Sequence, residues 1–160
     1  MNPIKLQQLA HFLWQKHFRF TARIIQKFIH IRYNCDLPPQ IVVGGTSLGH
    51  GGIGVVINRK SVIGRNCIIA QNVTIAGKDG LAPQIDDWVY VGANSVLLGG
   101  CKIGKNVFIG ALTLVNKDIP DNEVVAGIPA KVLRLQTKEQ IEVWHNEVLA
   151  QGEIPLETNR

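Results

Sequence analysis

Large aliphatic residues recur six apart over much of the chain, at Ile57, Ile63, Ile69 and Ile75, then at Ile85, Val91, Leu97, Ile103, Ile109 and Val115. Four positions after nearly every one stands a small or branched residue: Ser61, Cys67, Val73, Val89, Ser95, Cys101, Val107, Thr113 and Ile119. Two inward positions in six are too sparse for an alternating strand or a helix of 3.6 residues per turn; they fit short flat strands joined by corners. Three hexads close a triangle, and stacked triangles bury an interior that no single one could bury alone. The pattern predicts an all-β core, a parallel β-helix. Glycine after the aliphatic, at Gly64, Gly92, Gly104 and Gly110, suits tight corners or close packing between coils.

Outside this region the apolar period is helical. Leu6, Leu9 and Leu13, then Ile24, Ile25, Phe28 and Ile29, predict two short helices within residues 4–18 and 20–33. After "AGIPAKVLR" (126–134) the hexads end, and Thr137 followed by Gln140 reads as a capping box opening a helix with Ile141, Trp144 and Val148 on one face. The chain thus divides into an N-terminal helical segment (1–35), the β-helix (36–134) and a C-terminal helix with a loose tail (135–160).

The rhythm fails twice. Taking Leu48 and Val42 as the inward positions before Ile57, the step from 48 to 57 is nine, with three extra residues in "LGHGGIGVVIN". The step from 75 to 85 carries four extra, read as a projecting loop, "GKDGLAPQ". Irregularities on a rigid scaffold are where function usually sits. Counting the extras, Leu48, Ile69, Val91 and Ile109 lie one coil apart, so His50, Gln71, Ala93 and Ala111, each two residues further on, form an outward column. The small residues leave a shallow channel beside the imidazole, suited to a thin, extended ligand.

Composition narrows the function classes. The three cysteines have neither paired nor metal-ligand spacing, which argues against a disulfide or zinc framework and for a reducing, cytoplasmic setting. Cys67 and Cys101 fall in the small inward column and read as buried hydrophobes. No signal peptide or apolar run of membrane-spanning length stands out. The net charge of +5 is uneven: residues 1–35 carry six basic residues and no acid. The basic helices either pack on the protein's own body or touch an anionic membrane surface. The β-helical body has no basic excess and few aromatic residues, which disfavours nucleic-acid binding.

The hexads, "LGHGGIGVVIN", "IGRNCIIAQNVTIAG" and "AGIPAKVLR" together resemble the hexapeptide-repeat acyltransferases, in particular their serine acetyltransferase branch, over about residues 35–134. The resemblance implies a left-handed parallel β-helix, an exception to the usual right-handed crossover. It also implies a homotrimer with acetyl-CoA as donor in grooves between neighbouring β-helices, and no metal. His50 matches the catalytic histidine. Asp36, in "CDLPPQ", matches the aspartate paired with it, at a spacing one residue shorter than the commonest pattern. Ala93 and Ala111 match small residues lining the pantetheine channel, with Gln71 in the same column, and Lys131 and Arg134 resemble basic residues that meet CoA phosphates. An imidazole of ordinary pKa is suited to taking a proton from an attacking hydroxyl and returning it to the departing thiolate, with the carboxylate fixing its tautomer.

The acceptor is where the sequence departs from the resemblance. Serine-specific enzymes usually carry an aspartate before the histidine and an Arg-His pair in the loop, whereas Gly49 and Leu81–Ala82 stand here. A zwitterionic acceptor needs ionic partners, which a sugar hydroxyl does not. Resemblance to shorter relatives with a two-helix entry, often of surface-polysaccharide pathways, implies a sugar of a surface polysaccharide or its lipid-linked precursor as the favoured acceptor, with the basic N-terminus at the inner membrane face. Serine O-acetyltransferase is the alternative. Lys78 and Asp79 are the loop candidates for touching the acceptor. Of other classes, a β-helical zinc enzyme lacks histidines, since His50 alone lies in the repeats, and a non-catalytic assembly module stays open.

Overall fold

The structure, a computed structural model, describes residues 3–150; the expected C-terminal tail lies outside the described residues. Helices α1 (Pro3–Gln15) and α2 (Arg19–Tyr33) pack on each other and lead into the coil. The first coil comprises β1 (Val42–Val43), β2 (Thr46–Leu48) and β3 (Val56–Ile57), and the second β4 (Val62–Ile63), β5 (Cys67–Ile69) and β6 (Thr74–Ala76). In the third are β7 (Gln84–Ile85), β8 (Tyr90–Val91) and β9 (Val96–Leu98), and in the fourth β10 (Lys102–Ile103), β11 (Phe108–Ile109) and β12 (Leu114–Val115). The chain closes with β13 (Glu123–Ala126), β14 (Lys131–Leu135) and helix α3 (Lys138–Ala150).

Every third strand joins the same sheet. One face is ordered β1-β4-β7-β10, a second β3-β6-β9-β12, and the third β2-β5-β8-β11-β13-β14, all parallel except the final β13–β14 pair. The result is a left-handed parallel β-helix of about 4 turns. The interior is the one the hexads specify. Ile57, Ile63, Ile69, Ile75, Ile85, Val91, Leu97, Ile103, Ile109 and Val115 are each at most 3% exposed, and the small column from Ser61 to Ile119 is buried beside them. Each fully buried aliphatic side chain contributes roughly 1.5–3 kcal/mol by removal from water. Two of the inward hydroxyls find a backbone partner: Ser95 and Thr113 both donate to the Gly110 carbonyl, at 2.9 and 2.7 Å. Gly92 is required by close approach between coils, because a Cβ there would lie 2.5 Å from the Ala111 amide nitrogen.

One expectation needs correction. Val42 points outward and is 49% exposed; its neighbour Val43 pairs with inward Ile63, whereas Leu48 keeps its expected pairing with Ile69, so β1 alone sits one residue later than the hexad count and the step from it to Leu48 is one residue short. Residues 131–135, all exposed, pair antiparallel with β13 as the edge of the third sheet.

Helix α2 has two apolar faces. It buries Ala22 and Ile29, while Phe20, Ile24, Phe28 and Ile31 form an outer stripe that is 48–79% exposed. Packing on the body therefore accounts for only one face of this helix. Among the described residues, no helix is long and apolar enough to cross a membrane. Helix α3 opens on the reciprocal box expected of Thr137 and Gln140: the Thr137 amide donates to Gln140 Oε1 and the Gln140 amide to Thr137 Oγ1. Trp144 meets Tyr90 and Phe108 edge-on at 5.8 and 6.4 Å, and His145 stacks on Trp88 at 3.9 Å, which fixes α3 on the third sheet.

Candidate active site

The corner from the third sheet to the second carries the predicted column. Leu48 pairs with Ile69, Ile69 with Val91, and Val91 with Ile109, so His50, Gln71, Ala93 and Ala111 follow at equivalent steps. In the upper three coils the corner turns on one left-handed residue, Asn72 (φ 57°), Asn94 (φ 60°) or Leu112 (φ 57°). In the first coil His50 itself is left-handed (φ 51°), and Gly51, Gly52 and Gly54 follow at φ 70°, 83° and 70°. Glycines surround the histidine because this wide turn holds a run of conformations that L side chains rarely adopt. Gly52 is doubly constrained, since a Cβ there would also lie 2.8 Å from Leu48 Cδ1.

The turn leaves the His50 side chain exposed, with no hydrogen bond to another described residue. Asp36 lies at the edge of the second sheet, bridged to Val56 of β3, so it adjoins the strand that leaves the His50 turn. Its Oδ1 accepts a 2.9 Å hydrogen bond from Gln26 Nε2 of α2, and within the protomer the structure records no hydrogen bond from His50 to it. Sequence reasoning missed Gln26. Its signal was faint: a polar residue beside the apolar face of a helix, whose partner ten positions on is fixed only by the way α2 folds back.

Other candidates sit elsewhere. Lys78 and Asp79 are exposed in a tight turn closed by reciprocal bonds between Lys78 and Leu81, 2.9 and 3.0 Å. That turn leaves the second sheet for the first, a different corner from that of His50, so the structure does not join the two within one protomer. Lys131 and Arg134 are three apart, a spacing that would put them on opposite faces of a regular strand. A bulge leaves Leu133 unpaired, with Lys131 opposite Ala126 and Arg134 opposite Val124, so both basic residues share the outer face. Arg134 reaches back to Gln140 Oε1 at 2.6 Å and lines a groove of about 400 Å³ beneath α3 with Phe108 and Trp144.

Cys35, Cys67 and Cys101 are buried free thiols, and burial pushes their pKa values up to about 11, about 12 and about 11. A thiol held that far above neutrality supplies almost no nucleophilic thiolate. Among the described residues no group of three His, Cys, Asp or Glu side chains is gathered to hold a metal.

The bacterial transferase hexapeptide pattern (six repeats) matches residues 83–117. The serine acetyltransferase of Mycobacterium tuberculosis is 35% identical over 130 residues, covering 79% of this chain and 57% of that protein. The repeat is that of the hexapeptide transferases, and the likeness to serine acetyltransferases runs along most of this chain. Two solved structures extend the likeness to the fold. Neisseria gonorrhoeae serine acetyltransferase in complex with serine superposes with a TM-score of 0.77 and 33% identity, over 81% of this chain and 54% of that one. The Brucella abortus enzyme in complex with coenzyme A gives 0.79 and 27%, over 84% and 55%. This hexapeptide-repeat protein thus spans little more than half the length of the relatives it matches.

Proposed function

We propose that the protein is an acetyl-CoA-dependent O-acetyltransferase of the serine acetyltransferase type, with His50 as general base. One observation carries this reading: a run of left-handed residues displays an imidazole without a hydrogen-bond partner among the described residues at the head of a stacked column continued by Gln71, Ala93 and Ala111. The small side chains leave room for a pantetheine arm. Lys131 and Arg134, on one face through the β14 bulge, are suited to the donor's phosphates. In the transfer, the acceptor hydroxyl gives its proton to His50 as its oxygen bonds to the thioester carbonyl carbon. The tetrahedral adduct collapses, the C–S bond breaks, and the imidazolium protonates the departing thiolate to leave an acetyl ester and free CoA. Asp36, with Oδ1 anchored by Gln26, has a second oxygen left to orient the ring.

The acceptor expectation changes. The relatives named above are serine acetyltransferases, one of them solved with serine, which favours L-serine; nothing among them supports the polysaccharide acceptor. A sugar hydroxyl stays as a second reading on a single observation, the uncharged Gly49 and Leu81–Ala82. We place the working site between the subunits of a homotrimer, where a neighbouring copy can bring Lys78 and Asp79 to the acceptor. The exposed apolar stripe of α2 and its basic flanks favour peripheral contact with an anionic bilayer, read by co-sedimentation with anionic vesicles.

The test is thiol release from acetyl-CoA with L-serine or with neutral sugars as acceptor. Turnover with L-serine and none with sugars supports the reading. The reverse restores the sugar acceptor, and no transfer together with no CoA binding leaves a non-catalytic assembly module.

A further inference from the structure

Beside Asp36 lies a cavity of about 360 Å³ whose other walls are Arg23, Gln26, Lys27 and His30 of α2. The helix explains the convergence: positions 23, 27 and 30 follow the i, i+4, i+7 spacing of one face, and Gln26 adjoins them. That face flanks the outer apolar stripe on the side nearer the core. Three features make it more than a solvated basic surface. Gln26 ties the helix to Asp36 at 2.9 Å, so the cavity has a fixed floor. Arg23 lies 5.9 Å from the ring centroid of Trp14, so its guanidinium rests against an aromatic face. Finally, neither Arg23 nor Lys27 is within ion-pair distance of a carboxylate among the described residues, and residues 1–35 contain no acid at all.

Unpaired cations around a cavity of small-molecule size call for an anion. We propose that this cavity is an acceptor subsite in which Arg23 and Lys27 hold a carboxylate or phosphate group of a small hydroxylated molecule. This rests on the acetyltransferase reading and narrows it to anionic acceptors. Asp36 is the link between the two, forming one wall of the cavity and adjoining the strand that leaves the His50 turn. A carboxylate would come from an amino acid such as serine, a phosphate from a sugar phosphate or lipid-linked sugar; both groups meet the same two cations.

The experiment uses the full chain and a double variant, Arg23→Gln with Lys27→Gln, whose exposed sites leave the core intact. Titration with inorganic phosphate and with acetate, followed at the His30 ring resonances, reads the subsite without catalysis. Binding that weakens about 10- to 100-fold in the variant is the expected result. Transfer assays then compare L-serine with its methyl ester, and a sugar phosphate with the free sugar. The variant should lose the wild-type preference for whichever charged form is used, through KM and not kcat. Phosphate and acetate binding that is equal in the two proteins overturns the subsite, as does an unaltered preference for the charged acceptor. If the wild type binds anions through these residues yet transfers no acetyl group, the subsite stands and the acetyltransferase reading falls.

Discussion

The same corner of the β-helix is built in two ways. In the second, third and fourth coils it turns on a single left-handed residue, and neighbouring turns lock together, as where Asn72 Nδ2 donates to Asn94 Oδ1 at 3.3 Å. In the first coil three added residues and four positive φ values replace that lock, and His50 is left without a partner among the described residues. The widened turn keeps its backbone bond to the next coil, from the Asn72 amide to the Ile53 carbonyl at 2.8 Å, and the buried stack of Ile69, Val91 and Ile109 beside it keeps the coil in place. An imidazole is therefore displayed where the repeat is interrupted.

The largest test of this contrast is His50→Ala. Removing an exposed base should lower kcat about 100- to 10,000-fold with CoA binding retained, as read by steady-state kinetics and a CoA titration. Wild-type turnover in that variant would remove the imidazole from the chemistry. Next comes Gly52→Ala, which forces a Cβ against Leu48 Cδ1 at φ 83°. The strain should cost about 1–3 kcal/mol in denaturant unfolding and lower activity with it, whereas Gly51→Ala, with open space around its Cβ, should cost less.

The contrast can be sharpened from the regular side as well. Leu112 occupies the left-handed corner position that asparagine fills in the two coils before it, so Leu112→Asn should stabilise the protein by about 0.5–1 kcal/mol and leave kcat alone. An unchanged denaturation midpoint would show that this corner carries no strain.

The smallest effect is a pH dependence at α3. Burial against Trp88 holds the His145 pKa below its ordinary 6.5, while Nε2 lies 2.8 Å from Asn106 Oδ1. The unfolded imidazole binds its proton first on acidification. The stability contribution is therefore complete above pH 6.5 and declines as the pH falls from there through the lower folded value. Tryptophan fluorescence should report α3 loosening in that window in the wild type and not in His145→Phe.

Much of the fold was legible in the hexads, because each names two inward residues. The capping box of Thr137 and Gln140 was legible for a similar reason, being a contact between residues three apart. Val42 was misassigned because the step back from Leu48 to β1 is one residue short of a hexad, and the first coil has no earlier coil whose spacing would reveal it. The partner of Asp36 was illegible, since Gln26 meets it only once α2 has folded against the coil.

By itself, then, the sequence determined which residues face inward, where the coil is interrupted and that a histidine stands at the first interruption. These are properties of spacing, local to a few residues. Tertiary structure alone decided that Lys78 and Asp79 leave by another corner, that a bulge at Leu133 brings Lys131 and Arg134 to one face, and that a helix flank meets Asp36 across a cavity. Those relations sum rotations over many residues, where one inserted or unpaired position changes which side chains meet.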